Sequence, residues 1–249
     1  MNDTRPVMVI FGATGGIGNV LSRQLAAAGH KLVLAARQTE RLQALANELG
    51  ATAVPCEATQ SAQVDAVIAQ AQAVHGRIQG VASCIGSIVL KPAHLTSDEE
   101  WQRTLELNLT TSFYILRAAA KAMRQGGGSI VFCSSVATQR GLANHEAIAA
   151  AKAGITGMML AAAATYASSK VRVNCVASSL TRTPLSASLT ANESALNASI
   201  AMHALGRIGE PEDVASAIQW LLDPAQSWVT GQVIGVDGGL GSVNPRPRI

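Results

Sequence analysis

Three glycines, Gly12, Gly16 and Gly18, stand close behind the apolar run Val7 to Phe11 and in front of an amphipathic segment, Asn19 to Ala28. Without a Cβ, the backbone there can turn sharply and approach a ligand closely. The free N–H groups of a helix starting at that turn point outward, with the positive end of the helix dipole behind them. A pyrophosphate fits such a place. Four further residues, Arg37, Glu57, Gly86 and Ser135, each follow directly on an apolar, strand-like run.

The elements that carry these residues alternate. Strands are predicted over Val7–Phe11, His30–Ala36, Ala51–Cys56, Ile78–Ile85, Ser129–Ser134, Val171–Ala177 and Gly231–Val236. Helices are predicted between them: over Asn19–Ala28, over Gln38–Leu49 with Gly50 as stop, over Ser61–His75, and from a capping box at Ser97 and Glu100 to Gly126. An alanine-rich helix follows from about Asn144 to Ala167, and a last one, Pro211–Leu222, has proline in its first turn. The alternation implies one α/β domain over residues 1–249, a doubly wound parallel sheet of seven strands with helices on both faces. Right-handed crossovers bring the strand C-termini to one edge, so Gly12, Arg37, Glu57, Gly86 and Ser135 converge there. Polar, loosely periodic sequence from Ser178 to His203 is read without regular elements.

Hydrophobic residues make up 48% of the 249 and charged residues 14%, enough for a sizeable core and too few charges for a disordered or nucleic-acid-coating chain. The net charge of +3 favours an anionic cofactor but does not imply nucleic-acid binding. No apolar run is read as long enough to cross a membrane, and no signal peptide precedes Val7. Cys56, Cys84, Cys133 and Cys175 are far apart along the chain and have no metal-ligand spacing. They are read as buried, reduced thiols of a cytoplasmic protein, with no metal site.

Over almost its whole length the sequence resembles the short-chain dehydrogenase/reductase family. The family's Thr-Gly-x-x-x-Gly-x-Gly is present from Phe11 to Gly18, with Phe11 in place of the threonine. Its Asn-Asn-Ala-Gly is represented by Ser83, Cys84, Ile85 and Gly86. The helix asparagine is Asn108, the strand serine Ser135, and the sixth-strand signature Arg172-Val173-Asn174. Ser178 and Ser179 replace the usual Pro-Gly, whereas Thr183 and the stretch Thr230 to Gly239 match. The resemblance implies a nicotinamide cofactor held by Gly12, Thr14, Gly15, Gly16, Ile17, Gly18, Arg37, Glu57, Ala58, Gly86, Lys152, Leu180 and Thr183. An acidic residue at the end of the second strand would bind the adenosine ribose. Ala36 and Arg37 stand there instead, and a guanidinium pairs with a 2′-phosphate, which favours NADP over NAD.

Family members carry a tyrosine four residues before the active-site lysine and thirteen after the serine. Tyr166 and Lys170 have the first spacing but lie directly before the sixth strand, at the wrong end of their helix, so Tyr166 is read as a packing or interface residue. The lysine in the right context is Lys152. Ile148 stands four residues before it and thirteen after Ser135. In relatives the tyrosine gives a proton to the carbonyl oxygen, the lysine lowers its pKa and holds the ribose, and the serine bonds the same oxygen. His145 is the substitute considered. Seven residues turn a helix by about 700°, so it shares the azimuth of Lys152 to within about 20°. The enoyl-acyl-carrier-protein reductase branch carries its tyrosine at that same distance. Glu146, about 120° off that face, fits less well. The bland alternative makes His145 a first-turn residue behind an Asn144 cap. Asn108 would hold a water linking Lys152 to solvent. These residues imply an NADP-dependent oxidoreductase for a small carbonyl or activated double bond, with His145, a water or nothing in place of the tyrosine. The alternative is a nucleotide-binding relative without activity, a sensor or partner subunit, and a scaffold without nucleotide comes third. A segment at about 184–205 would cover the substrate, and it offers no lysine or arginine for a strongly anionic one. The resemblance further implies a homotetramer.

Overall fold

The computed structural model describes residues 5–245. Val7–Phe11 form β1, every residue buried, and the chain then enters α1 at Gly16–Ala27. The alternation continues through β2 (Lys31–Ala36), α2 (Thr39–Leu49), β3 (Thr52–Pro55), α3 (Ser61–His75) and β4 (Gly80–Ser83). Next come α4 (Asp98–Leu105), α5 (Thr111–Met123), β5 (Gly128–Ser135), α6 (Glu146–Tyr166) and β6 (Val171–Ser178). Two short helices, α7 (Ala187–Thr190) and α8 (Glu193–Met202), precede α9 (Pro211–Leu222) and β7 (Val233–Val236). All pairings are parallel, in the order β3-β2-β1-β4-β5-β6-β7. This is the doubly wound sheet that the alternation predicts.

Each face of the sheet carries its own apolar cluster. Val9, Phe11, Val33, Val81, Ile130 and Phe132 pack with Val64 and Ile68 of α3, Ile115 and Met123 of α5, and Ile155 and Met159 of α6. Met8, Ile10, Leu34, Ala82, Val131 and Val176 pack with Leu21 and Leu25 of α1, Leu42 of α2, and Val214 and Ile218 of α9. Strands buried on both faces explain why each reads as a continuous apolar run.

Several borders and elements differ from the sequence reading. The expected long helix after Ser97 is two helices joined by a π-helical turn, Glu106–Thr110. Its N-terminus does carry the capping box, with Glu100 N–H donating to Ser97 Oγ and Ser97 N–H to the Glu100 carboxylate. Asn144 is not the cap of α6. It takes the left-handed conformation at φ 64°, and His145 is the N-cap. The segment 184–205 holds α7 and α8, neither with a fully buried side chain, so no periodic apolar stripe advertises them. The stretch Glu146–Ser169 is long and apolar enough to cross a membrane, contrary to the sequence reading. Its Ile148, Ala151, Ile155 and Met159 are buried, and Ile155 and Met159 lie in the core, which accounts for its composition.

Candidate active site

The glycine turn is built by exclusion. Gly12 sits at φ 77°, and its N–H donates to Ala35 O at 2.9 Å, which ties the turn to the end of β2. A Cβ on Gly12 would lie 3.0 Å from the Cys84 carbonyl, and one on Gly18 only 2.2 Å from Gly12 O. A Cβ on Gly16 would lie 2.8 Å from Thr183 Cγ2. The turn is therefore packed between β4 and the chain after β6, with no room for side chains. Gly15 is the N-cap of α1 and offers no side-chain cap, and the first turn holds no acidic residue. Thr14 and Ile17 are half-buried beside it. The result is a set of helix N-terminal N–H groups at the C-terminal edge of the sheet.

On that edge, Lys152 and Asn108 flank Gly86. A Cβ on Gly86 would lie 3.1 Å from Asn108 Oδ1 and 3.4 Å from Lys152 Nζ. Lys152 is buried on α6, and its Nζ donates to Cys133 O at 2.9 Å. Burial holds its pKa below the ordinary lysine value. Asn108 is fully buried in the π-helical turn. Its Nδ2 donates to Ser87 Oγ and to Thr104 O, each at 2.9 Å, and its Oδ1 accepts from Ser87 N–H at 3.2 Å. Its side chain is thus spent on fixing the loop after β4, a role that the sequence did not reveal. Ser135 ends β5, half-buried, with its Oγ accepting from Ala137 N–H at 3.2 Å.

Ile148 is buried one helical turn before Lys152. His145 lies one turn further toward the helix start, and its Nδ1 sits 2.7 Å from Ala143 O. A carbonyl only accepts, so Nδ1 carries the hydrogen and Nε2 is the atom left for exchange. Tyr166 packs against the core at the other end of α6, and Lys170 immediately precedes β6, both on the edge away from the glycine turn.

Arg37 and Glu57 follow β2 and β3. The guanidinium is 66% exposed and stands 3.8 Å from Glu57 Oε2, a loose pair that leaves it approachable. Ala58 is buried in the core beneath them. On the far side of the cleft, Leu180 O accepts from Gly209 N–H at 2.9 Å. The Thr183 hydroxyl is engaged with Ser186 in the cap of a 3₁₀ turn, Pro184–Ser186, and its methyl faces Gly16. His203, at the end of α8, is buried and bridges Ser199 O at 2.6 Å and Ser179 Oγ at 2.8 Å, anchoring the 184–205 segment to the end of β6. A separate cavity of about 940 Å³, lined by Asp65, Arg117 and Lys121, lies between α3 and α5, away from this edge.

The cysteines correct the sequence reading. Cys56 and Cys175 are buried, but Cys84 and Cys133 are only half-buried and stand side by side on neighbouring strands. The register pairs Ser83 with Phe132, so the next residues, Cys84 and Cys133, are neighbours. Only this register, absent from the linear spacing, brings them together.

A family model described as enoyl-(acyl carrier protein) reductase matches residues 12–241. A cis-4-hydroxycyclohexanecarboxylate dehydrogenase of Sinomonas cyclohexanicum is 35% identical, over 95% of this chain and 97% of its own. A short-chain type dehydrogenase/reductase from Mycobacterium ulcerans superposes with a TM-score of 0.92 at 32% identity, covering 98% of this chain and 93% of that one. An actinorhodin polyketide ketoreductase variant with NADPH gives a TM-score of 0.90 at 27% identity, covering 96% and 98%.

Proposed function

The chain belongs to the short-chain dehydrogenase/reductase family of oxidoreductases, and from that premise we propose an NADP-dependent enzyme acting on a small carbonyl or activated double bond, without the family's tyrosine acid. The observation that carries this reading is the convergence of a side-chain-free glycine turn with Lys152 and Asn108 around Gly86. A dinucleotide fits there, because the turn leaves helix N–H groups uncovered where any Cβ would intrude. When bound, the nicotinamide group supplies or accepts the hydride.

The chain's own residues do the rest. The N–H groups of Gly16, Ile17 and Gly18 take the pyrophosphate, with Gly12, Thr14 and Gly15 shaping the approach. Arg37 faces the 2′-phosphate, and Glu57 and Ala58 border the adenine end. Gly86, Leu180 and Thr183 line the nicotinamide end. Lys152 donates to the ribose hydroxyls while remaining anchored on Cys133 O. Ser135 donates to the substrate oxygen. Ile148 occupies the tyrosine's position and offers only apolar surface there. His145, held through Nδ1 by Ala143 O, delivers or takes the proton through Nε2. Asn108 is a positioning residue for the Ser87 loop. The segment at about 184–205 covers the substrate. We place the enzyme in the cytoplasm as a homotetramer, the first on its four free thiols and the second on the resemblance. The non-catalytic alternative is not favoured, since the similar proteins are described as dehydrogenases and reductases.

Fluorescence titration of NADPH and NADH against wild type and Arg37→Asp tests the cofactor assignment. A charge-assisted contact of about 1.5–3 kcal/mol gives NADPH roughly a ten- to hundredfold advantage in wild type. Arg37→Asp narrows or reverses it. Equal wild-type affinities overturn the assignment.

A further inference from the structure

Two thiols stand together in the cleft, and nothing in the proposed chemistry uses them. Cys84 follows β4 directly, and its N–H donates to Phe11 O at 2.9 Å, which holds it in line with the sheet. Cys133 lies in β5, one step along the same register. Adjacent strands run about 4.8 Å apart, inside the Cα separation of about 4.4–6.8 Å that a disulfide spans. Both side chains lie on the α1 and α9 face of the sheet, side by side at neighbouring register positions. The two-residue period of a strand puts Cys133 on the same face as Ser135.

The pair is chemically uneven. The Cys84 S–H, together with the Lys152 ammonium, holds the Cys133 thiol below its ordinary range. The Cys133 sulfur beside it, with desolvation, holds Cys84 well above its ordinary range. Cys133, the thiol held lower, is the one a peroxide oxidises first, through its thiolate. Burial pushes Cys56 up to about 11 and Cys175 up to about 12, which leaves both inert.

We propose that Cys84 and Cys133 form a redox-modification site, at which a hydroperoxide drives a reversible intramolecular disulfide that closes the dinucleotide cleft. The Cys133 thiolate attacks one peroxide oxygen and the O–O bond breaks. The departing oxygen takes a proton and leaves as water, or as an alcohol from an organic hydroperoxide. Cys133 is now a sulfenic acid. The Cys84 sulfur attacks the Cys133 sulfur, the S–O bond breaks, and the hydroxide takes the Cys84 proton as a second water. The two sulfurs together lose two electrons and the peroxide gains them. A dithiol reverses the bridge by exchange. The bridge locks two neighbouring strand ends that carry the cleft: the Cys84 carbonyl packs on Gly12, and the Cys133 carbonyl anchors Lys152.

The test exposes the reduced full-length chain to hydrogen peroxide, alkylates the remaining thiols with N-ethylmaleimide, and maps the peptides by mass spectrometry. The expected result is loss of two of the four thiols, one Cys84–Cys133 linked peptide, and recovery with dithiothreitol. Cys84→Ser leaves a sulfenic acid on Cys133 that dimedone traps. Four thiols still alkylated, a bridge between other cysteines, or over-oxidised Cys133 in wild type without a bridge overturns the site. Closure of the cleft rests on the dinucleotide assignment and has its own readout. NADPH at ten times its dissociation constant slows bridging about tenfold, and the bridged chain binds NADPH at least about tenfold more weakly. A bridge that leaves NADPH affinity unchanged overturns the closure. A reduced chain that bridges but never binds NADPH overturns the dinucleotide assignment and leaves the redox site standing. One that binds NADPH and does not bridge does the reverse.

Discussion

Ile148 stands one turn from Lys152, buried, with no proton to give. The nearest replacement on the same helix is His145, whose Nδ1 is fixed on Ala143 O and whose Nε2 is therefore the exchanging atom. His145→Ala is expected to lower turnover by about 10²–10⁴, the loss typical of a missing general acid. NADPH affinity is expected to stay nearly unchanged, because the proposed cofactor contacts are those of Lys152 and Arg37. Unaltered turnover disposes of the histidine. The complementary change, Ile148→Tyr, restores a phenol in register with Ser135 and Lys152, and we expect faster reduction of simple activated ketones. The site is packed, so the larger ring costs about 1–3 kcal/mol of stability, which a urea titration reads beside the assay. Lys152, Asn108, Ser135 and the glycines were legible because motifs keep them at fixed spacings along the chain. The Cys84–Cys133 contact and the Ser87 clasp on Asn108 were not, since each depends on which strand or loop lies beside which.

At the scale of elements, the strand-to-helix turn is the part least able to change. A Cβ on Gly18 would sit 2.2 Å from Gly12 O, a backbone atom that cannot step aside without opening the turn. Gly18→Ala is expected to lower the melting temperature and abolish NADPH binding together. Gly157, exposed in the middle of α6 with nothing within 4 Å of an added Cβ, is the control. Gly157→Ala gains about 0.5–1 kcal/mol of helix stability and leaves binding intact. If both variants behave alike, the packing argument for the turn fails. Two helices match the sequence expectation to the residue: α3 at Ser61–His75, closed by Gly76, and α9, opening on Pro211. The π-helical turn at Glu106–Thr110 was invisible, because one extra residue per turn barely disturbs an apolar stripe. The length and apolarity of α6 are hidden in the sequence for a related reason: an alanine-rich face reads weakly residue by residue, yet sums to a spanning-length run.

At the scale of the molecule, the surface carries apolar side chains that the fold itself does not use. Phe113 of α5 is 48% exposed, Leu160 of α6 52%, and Trp228, just before the open edge strand β7, 98%. One such region on the α5 and α6 face and one beside the edge strand suit two kinds of contact between copies. Light scattering at micromolar concentration is expected to give four times the 25.7 kDa chain mass, and a monomer mass rules the tetramer out. Stability toward acid rests on a different residue. His30, between α1 and β2, has a buried Nδ1 without a partner among the described residues. Burial lowers its pKa, and the nearby Asp223 only partly opposes this. The folded value therefore lies below the unfolded value of about 6.5. Above that pH both states hold a neutral imidazole, and the fold keeps its full stability. As the pH falls through the unfolded value, the unfolded chain takes the proton first, so stability declines, and it levels off once the folded histidine also titrates. Urea midpoints measured from pH 8 down to pH 5 should fall across that window in wild type and fall less in His30→Gln. A midpoint that drops equally in both chains assigns the loss to other groups.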